Sequence, residues 1–141
     1  MEATTKKQLT VTSTINAPVE KVWEYFFTPE HVTQWNTPSP DWHTPKAEND
    51  LRAGGVFNYR MEAKDGSFGF DFGGVYDSVD ENKLVEYTLG DGRKVTNQFT
   101  TGDNSTTVTT VFEAETQNPL EMQQAGWQAI LDNFKKYTEA N

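Results

Sequence analysis

Two histidines are the side chains of this chain best matched to proton transfer near neutral pH, and one of them sits in Asp41-Trp42-His43. As a general base, His43 would need a substrate atom within reach and an orienting carboxylate. Asp41 lies two residues away, which in a strand places it on the same face. A lone histidine in a proline-rich stretch reads more simply as a surface or hydrogen-bonding residue. His31, next to Glu30 in a short helical stretch, is expected to face solvent. The chain has no cysteine, which removes a thiolate metal site, a disulfide framework and a cysteine nucleophile together. No G-x-S-x-G, H-E-x-x-H or P-loop lysine pattern occurs, so no catalytic residue, metal or cofactor is assigned. Leu51-Arg52-Ala53-Gly54-Gly55 has the composition of a phosphate cradle, but the residues after it alternate like a strand and do not open a helix. The glycine pair is expected to supply a positive φ or a bulge, Gly73-Gly74 to do the same for the neighbouring strand, and Arg52 to pair with a nearby carboxylate.

Apolar binding is the other chemistry on offer. The chain holds nine Phe, five Tyr and four Trp. Alternation puts Phe57, Tyr59 and Met61 on one face of a strand, and Phe68, Phe70 and Phe72 on one face of the next. Tyr87 and Phe99 continue the set, and Trp127, Leu131 and Phe134 approach from a helix. Trp42, near Trp35, is expected beside one mouth. These rings either pack as a solid core or line a cavity for a hydrophobic small molecule. Asn97, between Val95 and Phe99, is expected to face inward, where an amide needs a partner from the protein, water or a ligand. Glu86 would join it only if Leu84 marked the core face, and Tyr87 and Leu89 oppose that. Tyr59 and Tyr76 are further hydroxyls that a ligand could meet.

The elements that must position these residues follow from periodicity and punctuation. Gln8–Ile15 alternates and is expected to be a strand. Pro18 stands at the expected first position of a helix carrying Val19, Val22, Trp23, Phe26 and Phe27, and Pro29 opens a second short helix ending near Trp35. Strands are expected at Trp42–Glu48, Val56–Ala63, Phe68–Ser78, Lys83–Leu89, Arg93–Thr100 and Ser105–Glu115. Asp65-Gly66, Asp80-Glu81-Asn82, Asp91-Gly92 and Gly102-Asp103-Asn104 separate the later ones, a spacing that predicts antiparallel hairpins. Asn118-Pro119-Leu120-Glu121 reads as a capped helix start, after which Leu120, Gln124, Trp127, Ile130, Leu131, Phe134 and Tyr137 form one stripe. The expectation is an α+β domain spanning 1–141, one curled antiparallel sheet around its last helix.

"INAPVEKVWEYFFTPEHVTQW", "DLRAGGVFNYRMEAKDG", "FGGVYDSVDENKLVEYTLGDGRKV", "TTVTTVFEAE" and "NPLEMQQAGWQAILDNFKKY" together resemble the Bet v 1-like, or START-like (SRPBCC), superfamily. Within it they are similar to the activator of Hsp90 ATPase homologue family in its short bacterial single-domain form, over about Leu9 to Tyr137. The resemblance implies a helix-grip fold with a cavity between sheet and C-terminal helix, and with it a hydrophobic ligand. It also implies, as alternatives, a modulator of an Hsp90-type chaperone or a polyketide cyclase or dehydratase-like enzyme. The net charge of −9 repels phosphate backbones and anionic membranes, so neither nucleic acid nor a membrane is an expected partner. The N-terminal residues lack the apolar stretch of a secretory signal, which points to a cytoplasmic protein.

Overall fold

The structure, a computed structural model, describes residues 7–116 and 118–141. The reading of the extreme N-terminus as free of a signal rests in part on residues 1–6, which lie outside the described residues. In chain order the elements are β1 (Gln8–Ile15), α1 (Val19–Phe27), α2 (Pro29–Trp35), β2 (Trp42–Asn49), β3 (Val56–Ala63), β4 (Gly69–Asp80), β5 (Leu84–Leu89), β6 (Lys94–Gly102), β7 (Ser105–Glu113) and α3 (Leu120–Ala140). The strands form one antiparallel sheet in the order β1-β7-β6-β5-β4-β3-β2. This is the helix-grip arrangement expected above.

Alternation decides which face of each strand is inside. Leu9, Val11 and Ile15 of β1, Phe57, Tyr59 and Met61 of β3, Val85, Tyr87 and Leu89 of β5, and Val108 and Phe112 of β7 are all buried. Glu86 accordingly faces out and accepts a hydrogen bond from Ser78 Oγ. The tight turns between the later strands each carry one left-handed residue, Gly66, Asn82, Gly92 or Asn104. Glycine and asparagine tolerate that conformation, and the hairpins depend on it.

Curvature comes from two devices. Between Tyr76 and Ser78 the β4–β5 register slips by one residue, so Tyr76 and then Val79 both pack inward. At Gly74, a Cβ would lie 2.3 Å from the Thr88 carbonyl oxygen, so only glycine lets β4 approach β5 this closely. The positive φ expected in the upstream glycine pair belongs to Gly54 alone, at 84°. Gly73 and Gly74 need no positive φ and sit in regular register with β3, so their role is close approach and not a turn. Arg52 pairs with Asp50 at 2.9 Å, as expected.

Helix α3 lies along β1, the edge strand. Gln124 Nε2 donates to the Thr10 carbonyl (2.9 Å), Gln128 Nε2 to that of Thr12 (3.0 Å), and Lys135 Nζ to that of Thr14 (2.6 Å). Alternate carbonyls on an edge strand point the same way, so a helix side chain one or more turns further on can meet each in succession. The expected helix starts move slightly. Pro18 is the residue before α1 rather than its first, and its carbonyl accepts from Lys21 and Val22. Asn118 does not cap α3: its backbone N–H and side-chain amide both donate to the Glu115 carboxylate. Gln123 fastens this corner instead, accepting from the Glu115 N–H and donating to the Glu115 and Asn118 carbonyls. No helix among the described residues is long and apolar enough to cross a membrane.

Gly74→Ala forces a methyl group against backbone and is expected to cost about 3 kcal/mol in urea unfolding. Gly90→Ala, where an added Cβ meets nothing within 4 Å, should stay within about 0.5 kcal/mol of the parent.

Candidate functional site

Between the concave face of the sheet and the first half of α3 lies a cavity of about 310 Å³. Its sheet wall is built by β3 and β4, which bring Phe57, Tyr59 and Met61 together with Phe70, Phe72 and Tyr76. Tyr87 and Asn97 continue the wall on β5 and β6, and Val11 and Thr110 complete it on β1 and β7. The roof is α3, through Met122, Gln123, Gly126, Trp127, Ile130 and Leu131. Phe26 and Phe27 of α1 and Trp35 and Asn36 at the end of α2 close one end. The exposed apolar residues of the lining, Phe70 at 38% and Met122 at 59%, mark the opening.

Trp127 sets the distance between roof and floor. Its ring stacks on Phe112 with centroids 4.0 Å apart and meets Phe72 edge-on at 5.9 Å. At the closed end, Phe26, Trp35 and Phe134 form a mutually tilted trio. The indole N–H of Trp35 donates to the Tyr25 carbonyl (2.9 Å), so the ring cannot swing away.

Apart from Glu115 the polar groups of the lining are neutral. The Tyr76 hydroxyl donates to Asn49 Oδ1 (2.5 Å), and Asn49 Nδ2 donates to the Phe27 carbonyl (2.6 Å), which ties β4 to β2 and α1. Burial pushes the phenols of Tyr59, Tyr76 and Tyr87 well above their ordinary value of 10.0, and mutual repulsion between neighbouring phenolates adds to the rise at Tyr59 and Tyr76. Thr110 Oγ1 donates to Asn97 Oδ1 (2.7 Å). The only carboxylate of the lining is Glu115, at the β7–α3 corner, and the lining has no Lys, Arg or His among the described residues. Such a wall can enclose an apolar body and hydrogen-bond to neutral groups, but it has no charged pair to drive acid–base chemistry.

Of the residues singled out in the sequence, Phe57, Tyr59, Met61, Phe70, Phe72, Tyr87, Trp127 and Leu131 all meet at this cavity. Two do not. Phe99 is buried among Trp23, Phe26 and Phe27 under α1, because the sheet curls and β6 presents its end to the first helix. Trp42 stands at the start of β2 and packs edge-on against Phe68 and Phe70 outside the lining. Phe68 precedes β4 and is 60% exposed, so it does not share the inward face of Phe70 and Phe72. His43 is also outside, with Nε2 3.6 Å from Glu62 Oε1 across the β2–β3 pair. His31 is not simply solvent-facing: it stacks on Tyr25 (4.0 Å) and its Nδ1 shares a hydrogen bond with the Tyr137 hydroxyl (2.7 Å). The lining residues that sequence reasoning passed over are chiefly Asn36, Gln123 and Gly126. Only Gly126, a helix-weakening residue inside the apolar stripe, carried a visible signal.

Comparison with known proteins follows the same geometry. The model of the family described as activator of Hsp90 ATPase homolog 1-like protein matches residues 16–139. The chain is similar to the solution structure of an AHSA1-like protein from Aeromonas hydrophila, with 42% identity and a TM-score of 0.89 over 95% of this chain and 93% of that one. It is similar to a solution structure from Cytophaga hutchinsonii at 54% identity, with a TM-score of 0.79 over 96% and 93% of the two chains. A crystal structure from Chromobacterium violaceum shares the fold at 22% identity, with a TM-score of 0.85 over 96% and 99%. No curated protein matches the sequence.

The buried phenols make a pH prediction. In the unfolded chain they lose their protons near 10, whereas in the fold they hold them to higher pH. Above about pH 10 the unfolded chain therefore binds fewer protons than the native one, and stability falls as pH rises; below about pH 9 these groups leave it unchanged. Phenolate absorbance should show fewer than the five tyrosines ionising before the fold is lost.

Proposed function

Because the chain belongs to the activator of Hsp90 ATPase homolog 1-like family, we propose that it binds hydrophobic small molecules in the cavity under α3. The observation that carries this reading is the unfilled volume itself, about 310 Å³ among aromatic rings in a protein whose other inward faces are packed. Ligand sites span about 300–1,000 Å³ and are mostly apolar with a few placed polar groups, which describes this lining. Gly126 supports it independently: an added Cβ there meets nothing within 4 Å, so the helix spends its weakest helix former where a larger side chain would enter the cavity. The whole chain, 1–141, acts in this reading as one ligand-binding domain in the cytoplasm.

A second reading, modulation of an Hsp90-type chaperone, draws on the family's own description. Adding the protein to the chaperone of the same organism and following ATP turnover tests it; an unchanged rate with no detectable complex removes it. A cyclase or dehydratase-like activity has less to draw on, since the lining's ionisable groups are phenols held neutral and one carboxylate at the corner.

Native mass spectrometry and displacement of an environment-sensitive dye should detect uptake of apolar compounds from a panel of fatty and aromatic molecules. Gly126→Leu fills the roof and should abolish uptake while stabilising the fold by about 0.5–1 kcal/mol through helix propensity. Uptake unaffected by this substitution would place the binding elsewhere.

A further inference from the structure

Buried polar atoms nearly always find a hydrogen-bond partner, so those that do not are informative. Among the described residues they are Asn36 Nδ2, Asn97 Nδ2 and Thr138 Oγ1. The first two belong to residues lining the cavity, at its closed end and on its sheet wall. Asn36 spends its backbone carbonyl on Thr44 Oγ1 (2.6 Å) but leaves its amide nitrogen unpaired. Asn97 is the sharper case: it is 1% exposed, sits mid-strand in β6, and has its Oδ1 fixed by Thr110. Its Nδ2 makes no bond of full hydrogen-bond geometry; the one acceptor it approaches is the Tyr87 hydroxyl, a weak contact that pulls that phenol's pKa down less than burial raises it.

The charge of the lining restricts what could satisfy these donors. A buried anion needs a cation or several donors, and no Lys, Arg or His lines the cavity among the described residues. A cation would confront N–H groups. A neutral acceptor meets no such penalty. Nδ2 is itself covered, so donating to an occupant requires the amide to turn; the asparagine side-chain torsion is broad, and the Thr110 hydroxyl is a rotor that can follow Oδ1.

We propose that the cavity takes an uncharged, largely apolar molecule bearing a carbonyl-type acceptor oxygen, to which Asn97 Nδ2 donates. This rests on the cavity being a binding site and adds the polar feature its ligand must carry.

The test uses a matched pair of probes, 2-acetylnaphthalene and 2-isopropenylnaphthalene, which differ by an oxygen in place of a methylene. Comparing their affinity ratio in the parent protein and in Asn97→Leu cancels the difference in their hydration. The ketone-to-alkene ratio should fall about fivefold in Asn97→Leu, the effect of one neutral hydrogen bond. Alkene binding should persist, although the variant also deprives the buried Thr110 hydroxyl of its acceptor and is expected to melt somewhat lower than the parent. In the parent itself, the nitrogen-15 side-chain amide signal of Asn97 should move with the ketone and not with the alkene, a readout that stands even if Asn97→Leu fails to fold. An unchanged ratio, or an Asn97 amide signal indifferent to bound ketone, overturns the proposal and leaves apolar binding standing. If neither probe nor any compound of the wider panel binds, the binding reading itself falls.

Discussion

The placement of α3 along the edge of β1 is the constraint on which the rest of this structure depends. Gln124, Gln128 and Lys135 reach three alternate carbonyls of β1, and Glu139 accepts both the Asn16 N–H and the Lys135 ammonium at the far end. Each bond alone is modest because most of these side chains are exposed. Together they fix the helix's rotation and register, and they cover an edge that would otherwise be open to pairing with another chain. A helix fastened along one edge of a strongly curled sheet cannot also lie flat on the opposite half. The space facing β3, β4 and β5 is therefore left to side chains alone, and the rings there do not fill it.

Curl and closure are complementary in this arrangement. The β4 bulge and the close approach at Gly74 bend the far strands towards the helix, while Trp127 holds the helix off by stacking on Phe112 and touching Phe72. At the other end α1 is drawn in by Asn49, whose amide bridges the Tyr76 hydroxyl and the Phe27 carbonyl, and the end of α2 is held by Thr44, whose hydroxyl donates to the Asn36 carbonyl. One side of the enclosure is thus rigid and multiply bonded. The other, between Phe70 and Met122, has no comparable tie among the described residues and forms the opening.

The fold was legible because its signals are local and repeated. Period-two alternation in β1, β3, β5 and β7, and turn residues at each hairpin, leave little choice of topology. The cavity wall was legible for the same reason wherever a strand runs straight, as at Phe57, Tyr59 and Met61. It failed where position depends on curl. Phe99 obeys the alternation yet ends beneath α1, and Phe68 falls just before β4, where the pleat no longer governs its side chain. Asn118 has the type and spacing of a cap, but Glu115 and Gln123 compete for the same corner and win. His31 looked solvent-facing because Tyr25 and Tyr137, its partners, lie on other helices. Phe99 and the Tyr137 partner of His31 are contacts that no window of neighbouring residues contains, whereas Phe68 and Asn118 turn on local competition that periodicity does not weigh.

What separates this interior from an ordinary core is that its unfavourable local choices converge. A glycine in the middle of a helix weakens it, an unpaired buried amide costs more than a leucine of the same shape, and an unfilled volume forfeits packing on every wall. Scattered through a structure, such features would be tolerated imperfections. Here Gly126, Asn36 and Asn97 all border one enclosure, on a helix roof, a helix end and a strand. The occupant proposed above, an apolar body with an acceptor oxygen, would fill that volume and give the Asn97 amide a partner. Sequences tend to break local rules where function requires it, and three unrelated breaks around one volume are better explained by a shared occupant than by three separate accidents.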